Sequence, residues 1–146
     1  MIDTHQRIAY IKLDSFDVGN FQTDYGSRIV ASVGSRSSLI RNSKEFSSSE
    51  RSPQKVWEFK YNNPNTSSFI LSLSKKRIFG GDIMIGEADI KVSNYELNKV
   101  VKHDVRLKNH KNKYLTSKAT ISVHICEDGA NPFSAETGRL IESSRV

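Results

Sequence analysis

The chain has 146 residues, 36% of them apolar, and its 22 Lys and Arg outnumber 16 Asp and Glu for a formal net charge of +6. This length excludes a second sizeable core, and the modest apolar share suits sheets that bury one face each better than a fully wrapped α/β core. A lone cysteine, Cys126, excludes an internal disulfide, and no apolar run has the length of a transmembrane helix.

Met1-Ile-Asp-Thr-His5 has neither the basic start nor the apolar stretch of a secretory signal, and no Gly follows Met1 to carry a myristoyl group. Cytoplasmic residence is therefore expected, with any membrane contact peripheral. The basic excess attracts polyanions without choosing among lipid headgroups, nucleic acid and acidic proteins.

Alternation dominates the pattern. In Arg7-Ile-Ala-Tyr-Ile-Lys-Leu13, Ile8, Tyr10 and Lys12 share one side while Ala9, Ile11 and Leu13 share the other, which predicts a strand. A turn-rich connection over 14–26 leads to a second strand at 29–33, and 37–42 is expected to return as a short third. The serine-rich stretch 43–53 has no periodicity and reads as a mobile loop. Lys55, Trp57, Phe59 and Tyr61 then alternate with Val56, Glu58 and Lys60, so the three aromatics are expected in the core. Asn62-Asn-Pro-Asn65 is a turn signal, and strands follow at 69–73 and 83–90. Ser93 with Glu96 three residues later makes a capping box and predicts a helical turn over 93–100. Two more strands are expected at 102–107 and 117–126, the last with Thr120, Ser122 and His124 on its polar face. Short, evenly spaced strands of this kind mark an all-β sandwich over 1–126, with 127–146 as a C-terminal tail or linker.

The order of these segments resembles a C2 domain. Thr23-Asp-Tyr25 leading into the strand at 29–33, Ser52-Pro53 before Val56-Trp-Glu-Phe-Lys-Tyr61, and Asp82-Ile-Met-Ile-Gly-Glu87 carry the likeness, which covers residues 6–126. It implies an eight-stranded antiparallel β-sandwich of type II strand order and a lipid-binding module. In calcium-binding members, aspartates come from two connections. Asp24 matches one of the first pair and Asp17 the other with a residue of slippage, but the later triplet falls on Lys75, Arg77 and Ile83, with Asp82 one place away. Calcium needs several anionic oxygens, and cations in their seats repel it, so no metal site and no cofactor are expected. Asp14, Asp17 and Asp24 read as turn formers instead.

Antiparallel parity places the connections near 14–26, 43–54, 74–82 and 108–117 at one end. Lys75, Lys76, Arg77, Ile78 and Phe79 come from one of them, and Lys108, Lys111 and Lys113, beside His110, from another; Phe21 and Tyr25 occupy a third. A tip that is basic at its rim and apolar at its points suits a membrane surface carrying phosphatidylserine or phosphoinositides, bound without calcium. The alternative is a protein-interaction module that does not bind lipid, for which Asn131-Pro132-Phe133 resembles a short peptide ligand of EH domains and the terminal Ser144-Arg-Val146 would suit a PDZ groove. Nucleic acid ranks last, since no RNP-like strand, zinc spacing or recognition helix is visible. No enzyme is expected: His5, His103, His110 and His124 are scattered, His124 reads as an exposed strand residue, and Cys126 as half-buried with nothing nearby to activate it.

Overall fold

A strand that alternates apolar and polar side chains has one face to bury, and burying it takes a second sheet. The computed structural model describes residues 6–23, 26–36, 41–50, 52–62, 67–127 and 131–141, and among these residues the alternation resolves into eight strands. They are β1 (Arg7–Asp17), β2 (Arg28–Ser35), β3 (Asn42–Ser47), β4 (Lys55–Tyr61), β5 (Ser68–Lys75), β6 (Ile83–Lys91), β7 (Lys99–Arg106) and β8 (Lys118–Glu127). Two antiparallel sheets form, in the orders β4-β1-β8-β7 and β3-β2-β5-β6. β1 lies between β4 and β8 and does not pair with β2, the type II arrangement expected from the sequence.

The inward faces meet in one core. Ala9, Ile11 and Leu13 of β1 and Ile121, Val123 and Ile125 of β8 lie across from Ile29, Ala31 and Val33 of β2 and Phe69, Leu71 and Leu73 of β5, all buried. Each fully buried aliphatic side chain contributes about 1.5–3 kcal/mol. Trp57 is buried and donates its indole N–H to the Asn42 carbonyl at 2.9 Å, while Phe59 stacks on Phe69 at 4.6 Å. The hydroxyl of Tyr61 is buried with no hydrogen-bond partner among the described residues, and burial pushes its pKa up to about 12. A buried hydroxyl without a partner costs more than it contributes. Tyr61→Phe is therefore expected to leave the urea midpoint unchanged or to raise stability by up to about 1 kcal/mol. A loss above that would mean that the hydroxyl is bonded in solution.

Four expectations are corrected. The serine-rich stretch is not all loop, because β3 runs through it to Ser47. Phe46 is buried there, edge-on to Phe16 at 5.1 Å, and a single inward apolar residue among Ser, Lys and Glu leaves no period to read. The capping box forms no helical turn over 93–100. Val92–Asn94 is one 3₁₀ turn without a side-chain cap, and Tyr95 and Leu97 enter β-bridges with Leu140 and Ile125. Tertiary pairing overrides the local signal, with Val92 and Tyr95 buried in the core and Glu96 accepting from the Arg139 N–H at 3.3 Å. Asp14 is no turn former but the extra residue of a β-bulge where β1 meets β8, bonded by the Ser122 hydroxyl at 2.5 Å. Finally, His124 and Cys126 are fully buried on the outer face of their sheet, because a later segment covers them.

That segment is 131–141, from the stretch read as a tail. Phe133 packs on Tyr10 and His124, and Glu136 to Gly138 line the free edge of β7, with the Val100 N–H donating to the Glu136 carbonyl at 2.8 Å and the Gly138 N–H to the Val100 carbonyl at 2.9 Å. An edge covered in this way is protected from pairing with another chain.

Candidate lipid-binding tip

The connections after β1, β3, β5 and β7 leave the sandwich at one end and are tied together there. Asn20 is the knot between the first and the last. Its N–H donates to Thr116 Oγ1 at 3.1 Å, its amide Nδ2 to the Tyr114 carbonyl at 2.9 Å, and its Oδ1 accepts the Thr116 N–H at 2.8 Å. The Ser117 hydroxyl adds a bond to the Val18 carbonyl at 2.6 Å. Ser48 donates its N–H to the Ser27 carbonyl at 2.7 Å, which brings the connection after β3 to the same end.

Asn109 holds the long connection after β7 against β6. Its Nδ2 donates to the Met84 carbonyl at 3.0 Å, while its Oδ1 accepts from the N–H groups of Lys111 at 2.9 Å and Asn112 at 3.2 Å. The Met84 carbonyl is available because the pairing of β6 with β5 slips between Leu73 and Ser74, a bulge that kinks the strand end. Across from it the connection after β5 closes on itself: Arg77 Nε donates to the Gly81 carbonyl at 2.7 Å, over Gly80 at φ +82°. The clamp leaves Ile78 and Phe79 outside, 93% and 86% exposed, and Tyr114 on the neighbouring loop is 86% exposed. Between the loops lies a cleft of about 560 Å³ with Phe21, Met84 and Leu115 in its lining and Arg77, Lys111 and Asp82 among the polar groups.

No family model matches the chain, and no curated protein sequence does. Solved structures do: C2 domain A of a plant extended synaptotagmin 1 is 14% identical with a TM-score of 0.67, covering 89% of this chain and 100% of that one. A human GIVD cytosolic phospholipase A2 is 8% identical with a TM-score of 0.68 over 86% of this chain but only 16% of the enzyme. The paired C2 domains A and B of extended synaptotagmin 2 align at 11% identity and a TM-score of 0.57, covering 83% of this chain and 39% of that one. The fold is that of a C2 domain.

Within the C2 fold, the sequence-predicted tip residues divide into groups. Arg77 and Lys111 line the same cleft, with Ile78 and Phe79 projecting beside it. Lys75 is not on the loop but ends β5, half-buried and paired with Ile29 and Ile83. Lys76 is exposed yet engaged: its ammonium lies 2.7 Å from Glu45, and that hydrogen bond raises the pKa of Lys76 and lowers that of Glu45. Lys108 exchanges both backbone bonds with Glu87 on β6, and Lys108 and Lys113 line a hollow shared with Arg106. Asp17 accepts the Gly19 N–H at 2.8 Å, as a turn former does. Asp24 and Tyr25 lie outside the described residues. Among the described residues no group of three His, Cys, Asp or Glu is placed to hold a metal ion.

His103 is held at both ring nitrogens. His103 accepts from the Tyr95 hydroxyl at 2.7 Å and donates to the Asp104 carbonyl at 3.1 Å, and burial holds its pKa below the ordinary value of 6.5. Sequence reasoning missed Tyr114, Ile83 and Met84 as exposed apolar points of the tip, and Asn20 and Asn109 as its organisers. The recurrence of Asn at 109 and 112 in a polar loop was a signal for side-chain-to-backbone turns, since Asn112 also accepts the Tyr114 N–H at 3.1 Å. No helix among the described residues is long and apolar enough to cross a membrane.

Proposed function

We propose that this C2 domain attaches reversibly, without calcium, to anionic membrane surfaces on the cytoplasmic side, through the loop tip. The observation that carries it is the pair Ile78 and Phe79, almost fully exposed at the point of a loop whose neck is Arg77, beside the cation Lys111. Exposed aromatic and aliphatic side chains next to unneutralised cations suit the boundary between headgroups and acyl chains, and in a soluble setting they stabilise nothing.

Among the described residues calcium has no suitable seat in this reading. Asp82 shares its cleft with Arg77 and Lys111, so an ion there meets one carboxylate and two groups of its own sign. Asp17 spends one oxygen on its own turn. The phosphates of phosphatidylserine or phosphoinositide headgroups take the place that a cation holds in calcium-binding members. Each basic residue near an acidic leaflet contributes about 1 kcal/mol, and burying Phe79 about 2 kcal/mol, which makes an attachment and not an anchor.

Cosedimentation with vesicles containing phosphatidylserine, with calcium and with chelator, tests the proposal. Equal binding in both, weakening as salt rises, is expected. Binding that needs calcium, or none at low salt, would sink it, and the second outcome would favour a protein-interaction module. Phe79→Ser is expected to lower vesicle affinity about thirtyfold while leaving the thermal midpoint in place, because the ring supports no packing in the free domain.

A further inference from the structure

Residues 131–134 close as a turn on the outer face of the β4-β1-β8-β7 sheet. The Asn131 carbonyl accepts both the N–H of Ser134 at 3.4 Å and its hydroxyl at 2.8 Å, Pro132 follows, and Phe133 takes φ +58°. An aromatic residue in the left-handed region is strained and persists only where its surroundings hold it. Here they do. The Phe133 N–H donates to His124 Nδ1 at 2.9 Å, its ring lies 6.1 Å from both His124 and Tyr10, and Lys12 Nζ stands 4.9 Å from the ring centroid. Ile8, Tyr10 and Cys126 make a small apolar cluster beneath it, separate from the main core.

An Nδ1 that accepts a hydrogen bond carries no proton, so the neutral ring keeps its proton on Nε2. An imidazolium donates from both nitrogens, and the N–H groups of Phe133 and His124 would then face each other. We propose that residues 131–134 are a proton-gated latch, closed on the sheet while His124 is neutral and released when it is protonated, baring an Asn-Pro-Phe turn together with the Ile8 and Tyr10 face.

Among the described residues the titratable and charged groups around His124 are few. The cations nearest on this face are Lys12 from β1, which stands over the Phe133 ring, and Lys102 from β7, opposite Ser122. Asp14, which would favour a charge on His124, is already held by the Ser122 hydroxyl at 2.5 Å and by Lys12 at 3.5 Å, and Glu136 is paired with Lys99 at 2.6 Å. Tyr10 meets the imidazole ring to ring at 5.9 Å, and Cys126 lies two residues along the strand. Burial lowers the pKa of His124 below its ordinary 6.5, so the closed form is complete above that value and weakens as pH falls below it. Residues 136–138 are bonded to β7 through backbone groups that do not titrate, which confines the opening to the turn.

Amide exchange of the full chain followed by NMR from about pH 7.5 to about pH 5, corrected for intrinsic rates, tests this. The Phe133 amide is expected to lose protection by about tenfold or more, at the midpoint of the His124 ring titration, while Val123 and Gly138 keep theirs. His124→Asn, which retains an uncharged acceptor, is expected to stay closed throughout. Undiminished Phe133 protection after His124 has titrated, loss of Val123 protection at the same pH, or the same pH response in His124→Asn would each overturn the latch.

Discussion

Exchanging Arg77 and Lys111 for glutamate together is expected to weaken binding to phosphatidylserine vesicles by about a thousandfold, since each reversal removes one attraction of about 1 kcal/mol and adds one repulsion of similar size. Both line one cleft and carry no carboxylate partner among the described ion pairs, unlike Lys76, which faces Glu45 at 2.7 Å. Lys76→Gln is accordingly expected to change affinity less than Arg77→Gln or Lys111→Gln, because part of its field is already cancelled. Arg77 also clamps its loop through the Gly81 carbonyl, a second role that a charge reversal removes along with the first. Arg77→Lys keeps the charge and loses the planar fork. If it binds like the parent, the charge matters; if it binds like Arg77→Gln, the presentation of Phe79 does. Vesicle affinity unmoved by the double reversal would remove the tip from the interaction altogether.

Much of this architecture was legible along the chain, and the reasons for the rest are specific. Ile29, Ala31 and Val33, or Ile121, Val123 and Ile125, announce their strands because every inward position is apolar. At β3 only Phe46 is, and Lys44, next inward, lies over the Trp57 ring at 5.9 Å with its charge at the rim. Period two assigned His124 to the correct face, yet that face is buried, because burial there depends on Phe133 folding back over it. The tip shows the same division. That residues 75–79 are basic and then apolar is plain from the letters. That Lys76 is neutralised while Arg77 is not depends on Glu45, 31 residues earlier, and on the pairing of β2 with both neighbours that brings the two side chains together. Alternation carries strand faces well; it carries no information about which surface charges find partners.

Gly19→Ala is expected to destabilise the domain by about 3 kcal/mol and to weaken vesicle binding with it. Gly19 sits at φ +60°, where a side chain costs about 1–2 kcal/mol. A methyl group there would also overlap Thr116 Oγ1 and lie 2.7 Å from the Thr116 backbone carbonyl carbon. Backbone cannot step aside as a side-chain tip can, so overpacking adds about 1–3 kcal/mol. The atoms displaced are those that Asn20 bonds, and through them the connection carrying Lys111 and Tyr114 loses its register against Phe21. Gly26 separates the two contributions. It has φ +79° but open space where a methyl would stand, so Gly26→Ala is expected to cost only the conformational part, about 1 kcal/mol. Gly81, with neither constraint, is expected to accept Ala with no measurable loss. Urea titrations of the three variants should therefore fall in the order Gly19, Gly26, Gly81. Equal losses at Gly19 and Gly26 would show that the close approach of the first and last connections is not what holds the tip together.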